Sequence, residues 1–149
     1  MIYCEEHGES ESCADCAIED VNFQPRVAPW MEACFGAEIS ADTSERNHRF
    51  LEEALELVQA CDCTASEAHQ LVDYVFGRDV GEKSQEVGGV MVTLAALCLA
   101  QNLNMRESGD TELQRIWGKV EQIRAKQAAK PKHSPLPIDP RFTGSPGLD

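Results

Sequence analysis

Glu52, Glu53 and Glu56 fall within the run Arg49-Phe-Leu-Glu-Glu-Ala-Leu-Glu-Leu-Val58, and Glu86 stands just before the uncharged run Val87 to Asn104. On a helix that turns once in about 3.6 residues, Glu53 and Glu56 share a face, with Glu52 beside Glu56 at the i, i+4 spacing. Such crowding costs an isolated helix a few tenths of a kcal/mol per pair, so a compensating cation is expected, and hard carboxylate oxygens suit Mg²⁺ or Mn²⁺. A solvated acidic face is the plainer alternative. Against it, Phe50, Leu51, Ala54, Leu57 and Val58 turn the same helix towards a core.

A second set of ligand-type residues opens the chain: Cys4-x-x-His7 and Cys13-x-x-Cys16. Zinc prefers four Cys or His ligands in a tetrahedron, and a two-residue gap lets a tight turn bring both side chains to one ion. In a segment too short for a core of its own, a structural Zn²⁺ would supply the folding energy. A redox-active Cys13-Ala-Asp-Cys16 pair and an unmetallated tail are the alternatives. Cys61-Asp-Cys63 has the wrong spacing for another such site, and Cys34 and Cys98 read as buried thiols. His48 and His69 fall on helices with no partner at ligand spacing.

The chain has 149 residues, enough for one domain. Lys and Arg total 13 against 26 Asp and Glu, a formal net charge of −13. That balance argues against sequence-independent binding of nucleic acid by the helical part, which would rest on cations neutralising phosphates. It suits cation capture, and an anionic substrate must arrive with its metal or meet a local basic patch. Seven cysteines and an N-terminus without a basic or apolar leader point to a cytoplasmic setting. The apolar stretch from Val87 to Ala100 is shorter than the ~20 residues a membrane span needs, so no membrane association is expected.

These side chains need elements to hold them. Residues 1–20 read as a zinc knuckle, 21–41 as a connector with a short helix from Trp30 to Phe35 closed by Gly36, 42–130 as a helical domain, and 131–149 as an extended Pro-rich tail. Within the helical domain, a helix from Ser44 to Ala60 takes Asp42 or Ser44 as cap. Thr64-Ala-Ser-Glu67 fits a capping box and starts a helix from Ala65 to Phe76 that stops at Gly77. A helix from Glu82 to Leu103 is apolar nearly all round and belongs at the centre of the assembly; Gly88 and Gly89 within it predict close approach of another backbone. Asp110 is expected to cap a last helix, Thr111 to Ala129, with Leu113, Ile116, Trp117, Val120 and Ile123 on one stripe. The expected fold class is all-α, a bundle of four to five helices, and no useful β pattern appears.

The pattern Arg49-Phe-Leu-Glu-Glu-Ala-Leu-Glu-Leu, a spacer, then Glu86-Val-Gly-Gly-Val-Met-Val-Thr-Leu resembles the MazG-like all-α nucleoside triphosphate pyrophosphohydrolases over roughly residues 42–130. Their signature is Glu-Glu-x-x-Glu followed by Glu-x-x-Asp at the head of an apolar helix. Ile116-Trp-Gly-Lys-Val-Glu-Gln-Ile-Arg124 resembles the family's Lys and Arg helix. The resemblance implies hydrolysis of a nucleoside triphosphate to the monophosphate and pyrophosphate, in control of a nucleotide pool. Glu53, Glu56 and Glu86 would then hold Mg²⁺, with Glu52 standing behind them or taking the attacking water's proton, and Lys119 and Arg124 would meet phosphate. It also implies a homo-oligomer, dimer or tetramer. Gly89 stands where the family pattern has its final Asp, and Asp79 and Glu82 are the nearby acids that could replace it. A different class of reading is a catalytically impaired helical adaptor of the same fold, binding a protein or nucleic acid partner through its zinc knuckle and tail.

Overall fold

A computed structural model describes the backbone of residues 2–4 and 8–10 and the full chain over residues 23–136. Over residues 23–136 its regular structure is all helical: α1 (Phe23–Ser40), α2 (Thr43–Ala60), α3 (Ala65–Phe76), α4 (Lys83–Ala100), α5 (Met105–Trp117) and α6 (Val120–Ala129). Ahead of these, β1 (Ile2–Cys4) and β2 (Gly8–Ser10) pair antiparallel, with Cys4 opposite Gly8, a hairpin too short for its sequence pattern to show. The expected zinc ligands Cys4, His7, Cys13 and Cys16, as side chains, and the tail beyond residue 136 lie outside the described residues.

Local chemistry sets most helix starts. The Asp42 carboxylate accepts the Ser44 and Glu45 N–H groups, which opens α2. Thr64 and Glu67 cap each other reciprocally at α3, and these bonds to Thr64 hold the Glu67 carboxyl below its ordinary pKa. At α4 the cap is Glu82, which accepts the Gln85 N–H at 3.0 Å and has its own pKa lowered by that bond.

Two expectations need correction. The connector helix is longer than the segment Trp30 to Phe35, because Pro25 falls in its first turn, where no backbone donor is required, and Pro29 deletes a single bond. Gly36, at φ 71°, then breaks its direction, a conformation that residues with a Cβ seldom adopt. The last helix is in fact two. Asn104, not Asp110, caps α5 by accepting the Glu107 N–H at 3.0 Å, and Gly118 with Lys119 interrupts the path before α6.

Asp110 instead pairs with Arg26 at 2.6 Å and so ties α5 to α1. Trp30 Nε1 donates to the Ile116 carbonyl at 3.3 Å, and the Phe23 ring lies on Gly109, where a Cβ would meet it at 3.1 Å. Helix α1 packs along α6 and touches α5, and α4 packs on α5. Cys34, Cys98 and Leu113 are the buried apolar residues among those described, as expected of the two thiols.

The apolar helix is not central within one chain. Phe76 on α3, and Val92 and Leu99 on α4, are 85%, 70% and 79% exposed. Nothing approaches Gly88 or Gly89 either. Among the described residues no single helix is long and apolar enough to cross a membrane.

The corners after α2 and α4 are built alike. Asp62 (φ 69°) and Asn102 (φ 54°) adopt the left-handed conformation. Cys63 N–H then bonds the Val58 carbonyl, and Leu103 N–H the Cys98 carbonyl, both at 2.9 Å. This is a Schellman closure in each case. Asn102→Ala should therefore cost about 1 kcal/mol, whereas Asn102→Gly should be neutral or slightly stabilising, as read by urea unfolding.

Candidate functional site

Glu53 on α2 is exposed, and the charges of Glu112 and Arg115 on α5 reach it. Its carboxyl is pushed above the ordinary range, first by loss of hydration and then by the charges of Glu56, Glu52 and Glu112, with Arg115 opposing. Two of these neighbours, Glu112 and Arg115, cannot be found from the sequence because they lie on another helix, where no spacing rule links them to Glu53. Arg115 grips Glu112 with two bonds, 2.7 and 2.5 Å, which keeps the Glu112 carboxyl ionised to lower pH. Lys119 also acts on Glu112 through space, so one of the two expected phosphate-binding cations stands at this patch.

The other acids are engaged differently. Arg49 donates from Nη1 to Glu52 rather than pairing with Glu53, and its Nε lies 3.3 Å from Glu45 Oε1. Glu86 is folded back over the preceding loop, where a Cβ on Gly81 would run into its carboxylate. Glu82 is committed as the cap of α4. Gly89 carries no carboxylate, and a side chain at that position would enter open space, since no atom lies within 4 Å of where its Cβ would stand. Among the described residues no three His, Cys, Asp or Glu side chains are grouped to hold a metal ion.

Arg124 is turned away from this patch. Its Nε donates to the Ala33 carbonyl at 2.8 Å, and its Nη1 pairs with Glu121 at 3.0 Å. It lines a cavity of about 800 Å³ beside Cys34, Glu45 and Lys130, which contains none of Glu52, Glu53, Glu56 or Glu86. Burial raises the Cys34 thiol pKa there, partly offset by Arg124. His48 is half-buried on α2 and His69 exposed on α3.

Comparison of the chain with protein-family models, curated proteins and solved structures finds no match. What the site can do therefore follows from its own charges. A carboxyl whose pKa is raised on folding binds its proton better in the native state, so it contributes destabilisation that grows as pH rises through the carboxyl range. Glu53→Gln should accordingly raise the unfolding midpoint at pH 7 by the equivalent of a few tenths of a kcal/mol. That gain should disappear below about pH 4, where both chains carry a neutral group; thermal melts of the two proteins across this range are the check.

Proposed function

We propose that the chain is a Mg²⁺-dependent nucleoside triphosphate pyrophosphohydrolase, acting through the acidic face of α2. The observation that supports this reading is the raised Glu53 carboxyl, crowded by Glu52, Glu56 and Glu112. Oxygen donors under mutual repulsion fit a hard divalent cation, which would relieve them. Glu53, Glu56 and Glu86 would hold Mg²⁺ or Mn²⁺, which when bound draws charge from phosphate oxygens and makes water a better nucleophile. Glu52 is the residue to take the water's proton, once free of Arg49. Lys119 would offset charge on the substrate phosphates, and Arg124 would join it only by leaving the Ala33 carbonyl.

Glu86 must be brought to the other acids for this chemistry. The part of α4 that follows it, uncharged from Val87 to Ala100 and largely exposed, supports a homo-oligomer, since covering so apolar a stretch is favourable. A structural Zn²⁺ on Cys4, His7, Cys13 and Cys16 belongs to the same reading, and purified protein should then contain close to one equivalent of zinc by elemental analysis.

A second reading, a helical adaptor of impaired catalysis, is favoured by one specific observation, the position of the Glu86 carboxylate over Gly81, in a helix lacking the final acid. A pyrophosphate-release screen over common and modified nucleoside triphosphates with Mg²⁺ or Mn²⁺ separates the two. Turnover should fall at least about 100-fold in Glu53→Gln and Glu56→Gln, the range seen when a group stabilising transition-state charge is removed. Because the Gly89 position is open, Gly89→Asp should tighten metal binding about tenfold, by analogy with the loss seen when a group supporting a metal site is deleted. If no nucleotide is turned over and no metal shifts the melting temperature, the adaptor reading stands in its place.

A further inference from the structure

The C-terminal segment is tied to the helix that carries the acidic site. Lys130, which ends α6, pairs with Glu45 on α2, and the two side chains are only 8% and 7% exposed. Pro131 follows and cannot extend the helix. His133 takes a left-handed conformation at φ 61°, and Ser134 Oγ accepts the Leu136 N–H at 3.1 Å, closing a turn around Pro135. The Pro135 carbonyl is thereby presented to Arg49, whose Nη2 donates to it at 2.5 Å.

One guanidinium thus donates two hydrogen bonds, to the Pro135 carbonyl through Nη2 and to Glu52 through Nη1, and forms an ion pair with Glu45 on its Nε side. Its donors form a rigid planar fork, so fixing any two directions fixes the third. We propose that residues 130–136 are a strap that pins Arg49 onto Glu52, an autoinhibitory contact in which the protein's own cation occupies a carboxylate of the acidic face. Release of the strap frees the fork to turn, and engagement of Glu52 by another cation loosens the strap. The two effects are reciprocal, as any coupling between sites must be. The consequence for activity rests on the carboxylate site proposed above; the strap itself does not.

The exposed Lys132–His133 bond lies inside the strap and is a trypsin site, so its cleavage rate in the intact, metal-free chain reports how often the strap opens. Arg49→Gln should speed that cleavage about tenfold, through loss of a charge-assisted bond. Glu52→Gln, which changes a residue on the acidic face, should speed it about threefold. In the double variant the rate should match that of Arg49→Gln alone, because both act through one guanidinium. Unchanged cleavage in Glu52→Gln, or an equal acceleration at Arg106 within α5, overturns the strap. Millimolar Mg²⁺, held on Glu53, Glu56 and Glu86, would draw the neighbouring Glu52 carboxylate off Arg49 by its charge, and should so speed cleavage in the wild type but not in Glu52→Gln. If the variants behave as stated and Mg²⁺ has no effect, the strap holds and the metal-dependent reading of the site falls instead.

Discussion

The buried carboxylate of Glu45 is the point from which the rest of the helical chain takes its bearings. Withdrawing one ion from water costs several kcal/mol, so such a group persists only with close counter-charges. Lys130 comes from the end of α6, Arg49 from the next turn of its own helix, and Arg46, with Nη2 3.8 Å away, is the next residue in the chain. Arg46 in turn lies over the Phe35 ring of α1, 4.8 Å from its centre. Loss of hydration lowers the Arg46 pKa, Arg49 lowers it further, and Glu45 and Asp42 oppose them. One acid therefore indexes α1, α2 and α6 against one another. Apolar packing alone, with so few buried side chains, would leave that register loosely specified.

The two ends of the helical region are held by different physics. Around α1, directional contacts dominate: the Arg26–Asp110 pair, the Trp30 bond to the Ile116 carbonyl, and the Phe23 ring on Gly109. Around α3 and α4 there is apolar surface with little to direct it, from Leu71 and Tyr74 through Val87 and Met91 to Leu99. Exposed apolar area on this scale is uncommon in a chain that works alone. The proposed acidic site lies between these two regimes. Glu53 is coupled by charge to the ordered α5, while Glu86 belongs to the uncovered helix, which explains why the acids share a sequence pattern without sharing a cluster in one chain.

Features set by neighbours in sequence were legible. The capping box at Thr64 and Glu67, the Asp42 cap and the stop at Gly77 all appear where the residues put them. Cap chemistry misled at Asp110, because an acid before a helical run is equally suited to an ion pair within the helix, and Arg26 on α1 decided the matter. The crowding of Glu52, Glu53 and Glu56 could be read from spacing, and the raised Glu53 carboxyl agrees with it. The roles of Glu112, Arg115 and Arg49 could not, since each depends on a contact between elements far apart in the chain. The covering expected of α4 is not supplied within one chain, for a further reason: lack of charge says that a helix needs covering, but not by which molecule.

The matching corners after α2 and α4 carry a consequence for how this chain can change. Each places one left-handed residue and one more between a helix end and the next cap, Asp62 and Cys63 before Thr64, Asn102 and Leu103 before Asn104. Inserting a single residue there would break the closure made by the Cys63 or Leu103 N–H and displace the start of the following helix. For α5, that displacement would disturb the interactions of Glu112 and Arg115 with Glu53 and of Asp110 with Arg26. The loop from Gly77 to Glu82, with Val80 fully exposed, has no comparable closure. Variation in length should therefore be tolerated between α3 and α4 and excluded at the two corners, whatever residues occupy them.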